Sequence, residues 1–349
     1  MASVRRTELS VLNVLFCLLV IFIHVISYPV SAFAPGTIKY TAAMLPWRLA
    51  SFVVQGFVFL SGLKLFLNGK DKKSYFSYLK GRMRGIVLPY AVCYAAYYVY
   101  YMIRYDYPAD VLFFARHFFV GSLVCHMYFI PMIFQFDLLF PLWKRLIEKV
   151  SGVVLVPFVV VLTMVLEGYL PIMLTSVFPS VNFAYNDRMF TTYLSYWLIG
   201  CYVGKHYEAF GEILKKNFKA LSVIYAFVTL LCAAFSYLAF NQLAYVPYMN
   251  IWHSLYCLTT IVFLLGLAQK KSDLLWGRFP FFVSVDRASF YIYLWHMLVL
   301  LLTNDVLDYC GIAAQMPGFL IRCITVYGIT IPACVLYQKL KKKKGKSVA

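Results

Sequence analysis

From Leu9 to Ile38 the chain carries no Asp, Glu, Lys or Arg, and His24 is the one side chain there that titrates near neutral pH. An apolar run of about twenty residues crosses a bilayer as a helix, because a helix satisfies its own backbone hydrogen bonds. An ionisable group inside such a segment is costly and marks a functional site by default. The ordinary alternative is an interhelical hydrogen bond.

The same pattern recurs along the chain. Of 349 residues, 62% are apolar and 13% charged, against about 25% charged in a soluble domain. This composition predicts an all-α integral membrane protein with several spans. Aromatic residues make up 19%, in keeping with belts at both interfaces. The net charge of +18 comes from residues in short loops between apolar runs. That placement fits an anionic membrane face and membrane lipids as partners rather than nucleic acid. Nine cysteines are scattered singly without a CxxC pair, so no disulfide framework or metal site is expected. Arg5, Arg6 and the Ser31–Ala34 region imitate a signal peptide. The length of the apolar run, Pro35 after the cut and the position of His24 favour a retained helix.

Hydropathy windows predict ten spans, at 11–30, 46–66, 86–103, 120–142, 151–170, 189–204, 220–240, 250–268, 288–304 and 317–337. An uncharged stretch with Pro171, Pro179 and Asn182 links the fifth to the sixth. With both termini cytoplasmic, 26 of the 32 Lys and Arg residues lie in inner loops and 6 outside, as the positive-inside rule requires. The chain then reads as one membrane domain, 1–349, ending in a basic tail, 338–349. His24 lies thirteen residues past Val11, about 20 Å into a core about 30 Å thick, in its outer half.

Four local patterns stand out. Arg5-Arg6-Thr7-Glu8 leads through Asn13 to His24. Gln55-Gly56-Phe57-Val58-Phe59-Leu60-Ser61-Gly62 precedes a basic loop with Lys72, Lys73, Lys80, Arg82 and Arg84 that ends in Pro89-Tyr90. His126-Met127-Tyr128-Phe129-Ile130-Pro131 opens the fourth span. Ser289-Phe290-Tyr291-Ile292-Tyr293-Leu294-Trp295-His296 lies in the ninth. In this order the chain resembles the acyltransferase-3 family of membrane acyltransferases, which modify cell-envelope sugars and other acceptors. The resemblance runs from residue 5 to about 300. Asn13 stands where family members commonly carry Arg or Lys, and Gly85 where an Arg is common.

The resemblance implies transfer of an acyl group, acetyl in the first instance, to a hydroxyl of an envelope glycan or lipid-linked sugar. It implies a multi-pass protein of a bacterial-type cytoplasmic membrane. His24 is then the candidate general base, since removing a hydroxyl proton suits a neutral imidazole. Arg82 and Arg84 are candidates for the phosphates of an acyl-CoA donor, because guanidinium grips phosphate in a fork. Topology-setting charge explains the same residues. No permanently bound cofactor is expected. His126 is a candidate for the acceptor entrance or for a water-bonded interfacial role, and His296 for substrate positioning or helix packing. Glu8, about 24 Å before His24 along the helix, and Asn13 are supporting residues. His253 reads as structural, His117 and His206 as solvated loop residues, and Glu167 as a solvated helix end. Asp137, an intramembrane acid, requires a partner, water or a proton. Ser61 reads as a small-residue helix contact. Two other function classes remain, a transporter of lipid-linked sugar and a family member without catalysis that acts as sensor or scaffold.

Overall fold

A computed structural model describes residues 6–178, 185–276, 280–313 and 316–347. Arg5, Pro179, Asn182 and Arg278, and the side chains of Lys343, Lys344 and Lys346, lie outside the described set. Every regular element among the described residues is helical. In chain order the α-helices are α1 (Thr7–Ala32), α2 (Ile38–Ala50), α3 (Val53–Leu67), α4 (Tyr75–Arg82), α5 (Leu88–Tyr105), α6 (Val111–Val120) and α7 (Phe129–Leu138). They continue with α8 (Phe140–Lys149), α9 (Gly152–Val177), α10 (Leu194–Lys205), α11 (Tyr207–Phe240), α12 (Met249–Trp276), α13 (Pro280–Tyr309) and α14 (Met316–Ser347).

Eight stretches among the described residues are long and apolar enough to cross a membrane. They are α1, α2 with α3, α4 with α5, α9, α11, α12, α13 and α14. The protein is an all-α integral membrane protein. Ten such helices were expected, and the two exceptions are informative.

The expected fourth span, 120–142, holds no long helix. Two short helices take its place, α6 and α7, each about 15 Å long at 1.5 Å per residue. α6 runs back along α5, with Phe118 against Tyr90 and Phe114 against Tyr98. Between α6 and α7 the chain turns at 121–128. Gly121 ends α6 with a φ of 65°, and a side chain there would strike the backbone at Tyr128. Irregular backbone at membrane depth is tolerated where protein surrounds it, and His126 in this turn is only 3% exposed. The expected sixth span, 189–204, follows one 3-10 turn, Asn186–Arg188, begins with a second, Phe190–Tyr193, and becomes an α-helix only over the 12 residues of α10. Nearly every residue of α10 is buried. A hydropathy window registers apolar side chains without telling lipid from protein around them, and short apolar runs are typically core helices. Lys144 donates to the Asp71 carbonyl at 3.0 Å and Lys205 to the Ile147 carbonyl at 2.8 Å. Both short crossings therefore return the chain to the side on which Asp71 lies.

The contacts fall into two units, Met1–Phe57 with Gly211–Ala349, and Val58–Phe210. In the first, α1 is the centre, packed on α2, α12, α13 and α14. Leu12, Phe16, Ile21 and Val25 of α1 are fully buried, and Phe16 rests on the bare backbone of Gly56. In the second, α3 and α10 touch backbone to backbone. A side chain at Gly200 or Gly204 would strike the Phe59 or Leu63 carbonyl, and one at Gly62 the Trp197 carbonyl. This is the small-xxx-small contact through which membrane helices approach closely.

Gly200→Ala and Gly204→Ala are expected to cost about 1–3 kcal/mol each through overpacking, lowering the melting temperature of the detergent-solubilised protein. Gly168→Ala, where a new methyl meets open space, is expected to melt at or slightly above the wild-type temperature.

Candidate functional site

α1 and α13 run parallel in the first unit. Near their first turns the Asn13 amide donates to Asp286 Oδ1 at 2.7 Å and to Ser289 Oγ at 2.8 Å. Ser289 in turn donates to the Asp286 carbonyl at 2.9 Å, and Cys17 Sγ lies 3.8 Å from the Ser289 carbonyl. Farther along, the rings of His24 and His296 meet with centroids 5.2 Å apart and planes inclined by 40°. His296 is fully buried. Its Nδ1 lies 2.8 Å from the Tyr293 carbonyl and 3.1 Å from that of Ile292. A carbonyl only accepts, so Nδ1 carries the proton and a neutral ring has its lone pair on Nε2. His24 is half-buried, about 26 Å from the start of α1. Glu8 sits in the first turn, 3.9 Å from Arg6, about 24 Å from His24. The unbroken α1 keeps it at that remove.

In the second unit, Arg82 and Asp137 find each other. Arg82 Nε donates to Asp137 Oδ2 at 2.6 Å, and the Tyr78 hydroxyl donates to Oδ1. Asp137 is 1% exposed, so the required partner of this acid is the arginine singled out for phosphate. Arg84 is exposed, with no ion-pair partner among the described residues. It lies in a π-helical turn, Met83–Val87, the kind of local widening that recurs at functional sites. At Gly85 a side chain would meet nothing within 4 Å.

The other histidines separate cleanly. His126 packs 5.7 Å from the Tyr97 ring, inside the break between α6 and α7 rather than at a wet interface. His253 Nε2 lies 2.8 Å from Ser51 Oγ at the break between α2 and α3, as a structural tie. His117 is not a loop residue. It sits on α6, stacked at 4.0 Å on Phe113, its Nδ1 donating to the Phe113 carbonyl at 2.8 Å. His206 caps α10 and is exposed, its ring 4.6 Å from that of Tyr202. Glu167 is half-buried within α9, which continues to Val177. Asp286 escaped the sequence reading, although it stands just before the Ser289 motif. No three His, Cys, Asp or Glu side chains converge among the described residues.

Two histidines facing each other on parallel helices, each within its own sequence motif, describe a shared polar site in an apolar bundle. Over residues 6–337 the chain matches the model of the acyltransferase domain of the acyltransferase-3 family. The chain belongs to the acyltransferase-3 family. No curated protein and no solved structure matches it. The protein is thus a membrane acyltransferase, and the matched range takes in residues of both units.

For this acyltransferase, Asp137→Asn leaves a guanidinium without its buried carboxylate. It is expected to destabilise the protein by about 3–5 kcal/mol, read as a lower unfolding midpoint in detergent. In a double-mutant cycle with Arg82→Gln the two costs are expected to be strongly non-additive.

Proposed function

We propose that this acyltransferase moves an acyl group, in the first instance acetyl, from an acyl-CoA-type thioester to a hydroxyl of an envelope glycan or lipid-linked sugar, in a bacterial-type cytoplasmic membrane. The observation that carries this reading is the His24–His296 ring contact in a chain of this family. Neutral imidazole is a competent base for a hydroxyl proton. In the proposed step His24 takes that proton while the acceptor oxygen attacks the thioester carbonyl. The new C–O bond forms, the C–S bond breaks, and the proton passes from the imidazolium to the departing thiolate. His296, its tautomer fixed by two carbonyls, positions His24 and the acceptor. Arg84, exposed and without an ion-pair partner among the described residues, is the first candidate for the donor phosphates, with the face of Arg82 that Asp137 leaves open beside it.

The test is release of free thiol from acetyl-CoA by purified protein supplied with envelope glycan. His24→Ala is expected to lower the rate by about 10²–10⁴-fold, the usual worth of a general base, at an unchanged melting temperature. Wild-type turnover in a folded His24→Ala variant would show that His24 is not the base. Glycan movement without thiol release would favour a transporter instead.

A further inference from the structure

Arg322 lies near the start of α14, in a segment apolar enough to span a membrane. It reads from sequence as a helix-end charge, yet it is 0% exposed. Its contacts are all neutral. Nε donates to Asn304 Oδ1 at 2.6 Å, Nη1 donates to the Ala313 carbonyl at 2.9 Å, and the guanidinium lies 3.8 Å from the Tyr28 ring centroid. Nη2 is buried with no hydrogen-bond partner among the described residues. No carboxylate lies within 4 Å of this arginine among the described residues. The nearby Asp308 is exposed and meets the Tyr28 hydroxyl at 3.5 Å rather than the guanidinium. A buried cation without a counter-charge is costly enough to mark a binding site.

A pocket lies against this arginine. It holds about 580 Å³, and its wall includes Arg322, Tyr28, Pro29, Phe33, Lys39 and Phe319. Beyond the two cations and the tyrosine the wall is apolar. Its occupant therefore needs an apolar body and a negative group. Tyr28 lies over the guanidinium and lines the same pocket. Lys39, exposed at the rim, supplies the second charge, and two cations suit a phosphate better than a singly charged carboxylate. Tyr28 stands four residues after His24 on α1, about 6 Å along the axis.

We propose that this pocket binds the acyl acceptor, and that the acceptor is an anionic amphiphile whose phosphate is held by Arg322 and Lys39 while its apolar chain fills the pocket. Its role as acceptor rests on the reading of His24 as base; the binding does not.

The experiment follows thermal unfolding of the purified full-length protein during titration with dodecyl phosphate, with inorganic phosphate, laurate and dodecanol as separate arms. Dodecyl phosphate is expected to raise the wild-type melting temperature saturably, and the other three far less. Lys39→Gln is expected to weaken the apparent affinity about tenfold, and Arg322→Gln to abolish the shift. An equal shift with inorganic phosphate would overturn the amphiphile, with laurate the phosphate, and with dodecanol the charge. Should Arg322→Gln fail to fold, a diazirine-bearing alkyl phosphate photocrosslinked to the wild-type protein decides. Labelled peptides containing Tyr28, Phe33 or Phe319 support the pocket, and labelling elsewhere overturns it. His24→Ala is expected to bind like wild type and not transfer. Lost transfer in that variant together with no binding in wild type sinks the pocket alone. Binding with full transfer by His24→Ala sinks the catalytic reading alone.

Discussion

Asn13 donates to a carboxylate and a hydroxyl on α13 inside a bundle that is otherwise almost wholly apolar. In such surroundings a polar group without a partner is expensive, and side-chain hydrogen bonds between helices act as register pins. Sliding α1 by one residue turns its faces by about 100°, parting Asn13 from both Asp286 and Ser289. The tie thus fixes which side of α1 meets α13. The meeting of His24 with His296, eleven residues farther along α1, follows from that register. Asparagine does this as a neutral residue, where the family resemblance led one to expect a cation. At this position the carboxylate of Asp286 accepts from an amide.

The second unit relies on the same economy of polar groups. Asp137 is almost completely shielded, and both of its oxygens are taken, by Arg82 and Tyr78. Gln135 does a similar service two residues earlier on α7. It donates to the Arg188 carbonyl at 2.9 Å and accepts from the Phe190 amide at 3.0 Å, which anchors the irregular backbone leading into α10. At the other broken crossing the Tyr90 hydroxyl donates to the Phe118 carbonyl at 2.8 Å, near the end of α6.

Much of this was legible in the sequence, and the failures have physical causes. The long helices announced themselves because lipid demands about twenty apolar residues in a row. The short ones misled because Trp197, Leu198 and Ile199 of α10 are apolar for the sake of protein neighbours. His24 and His296 were each conspicuous, but a pattern read along one dimension does not show two residues 272 positions apart in contact. Arg82 and Asp137 were noticed for separate reasons, and only the structure joins them. Arg322 was overlooked because proximity to a helix end resembles exposure, and nothing local in the sequence distinguishes the two.

The π-turn at Met83–Val87 has an evolutionary consequence. A π-turn holds one residue more than an α-helix of equal rise, as its hydrogen bond from the Leu88 amide to the Met83 carbonyl records. Loss of a single residue there would heal α4 and α5 into one regular rod. Winding the same residues as unbroken α-helix, with none lost, would instead swing Arg82 and Tyr78 by about 100° relative to Tyr90 and Tyr94, away from Asp137 or else away from α6. The wide turn therefore takes up the extra residue while Arg82 and Tyr90 keep their bearings, toward Asp137 on one side and Phe118 on the other.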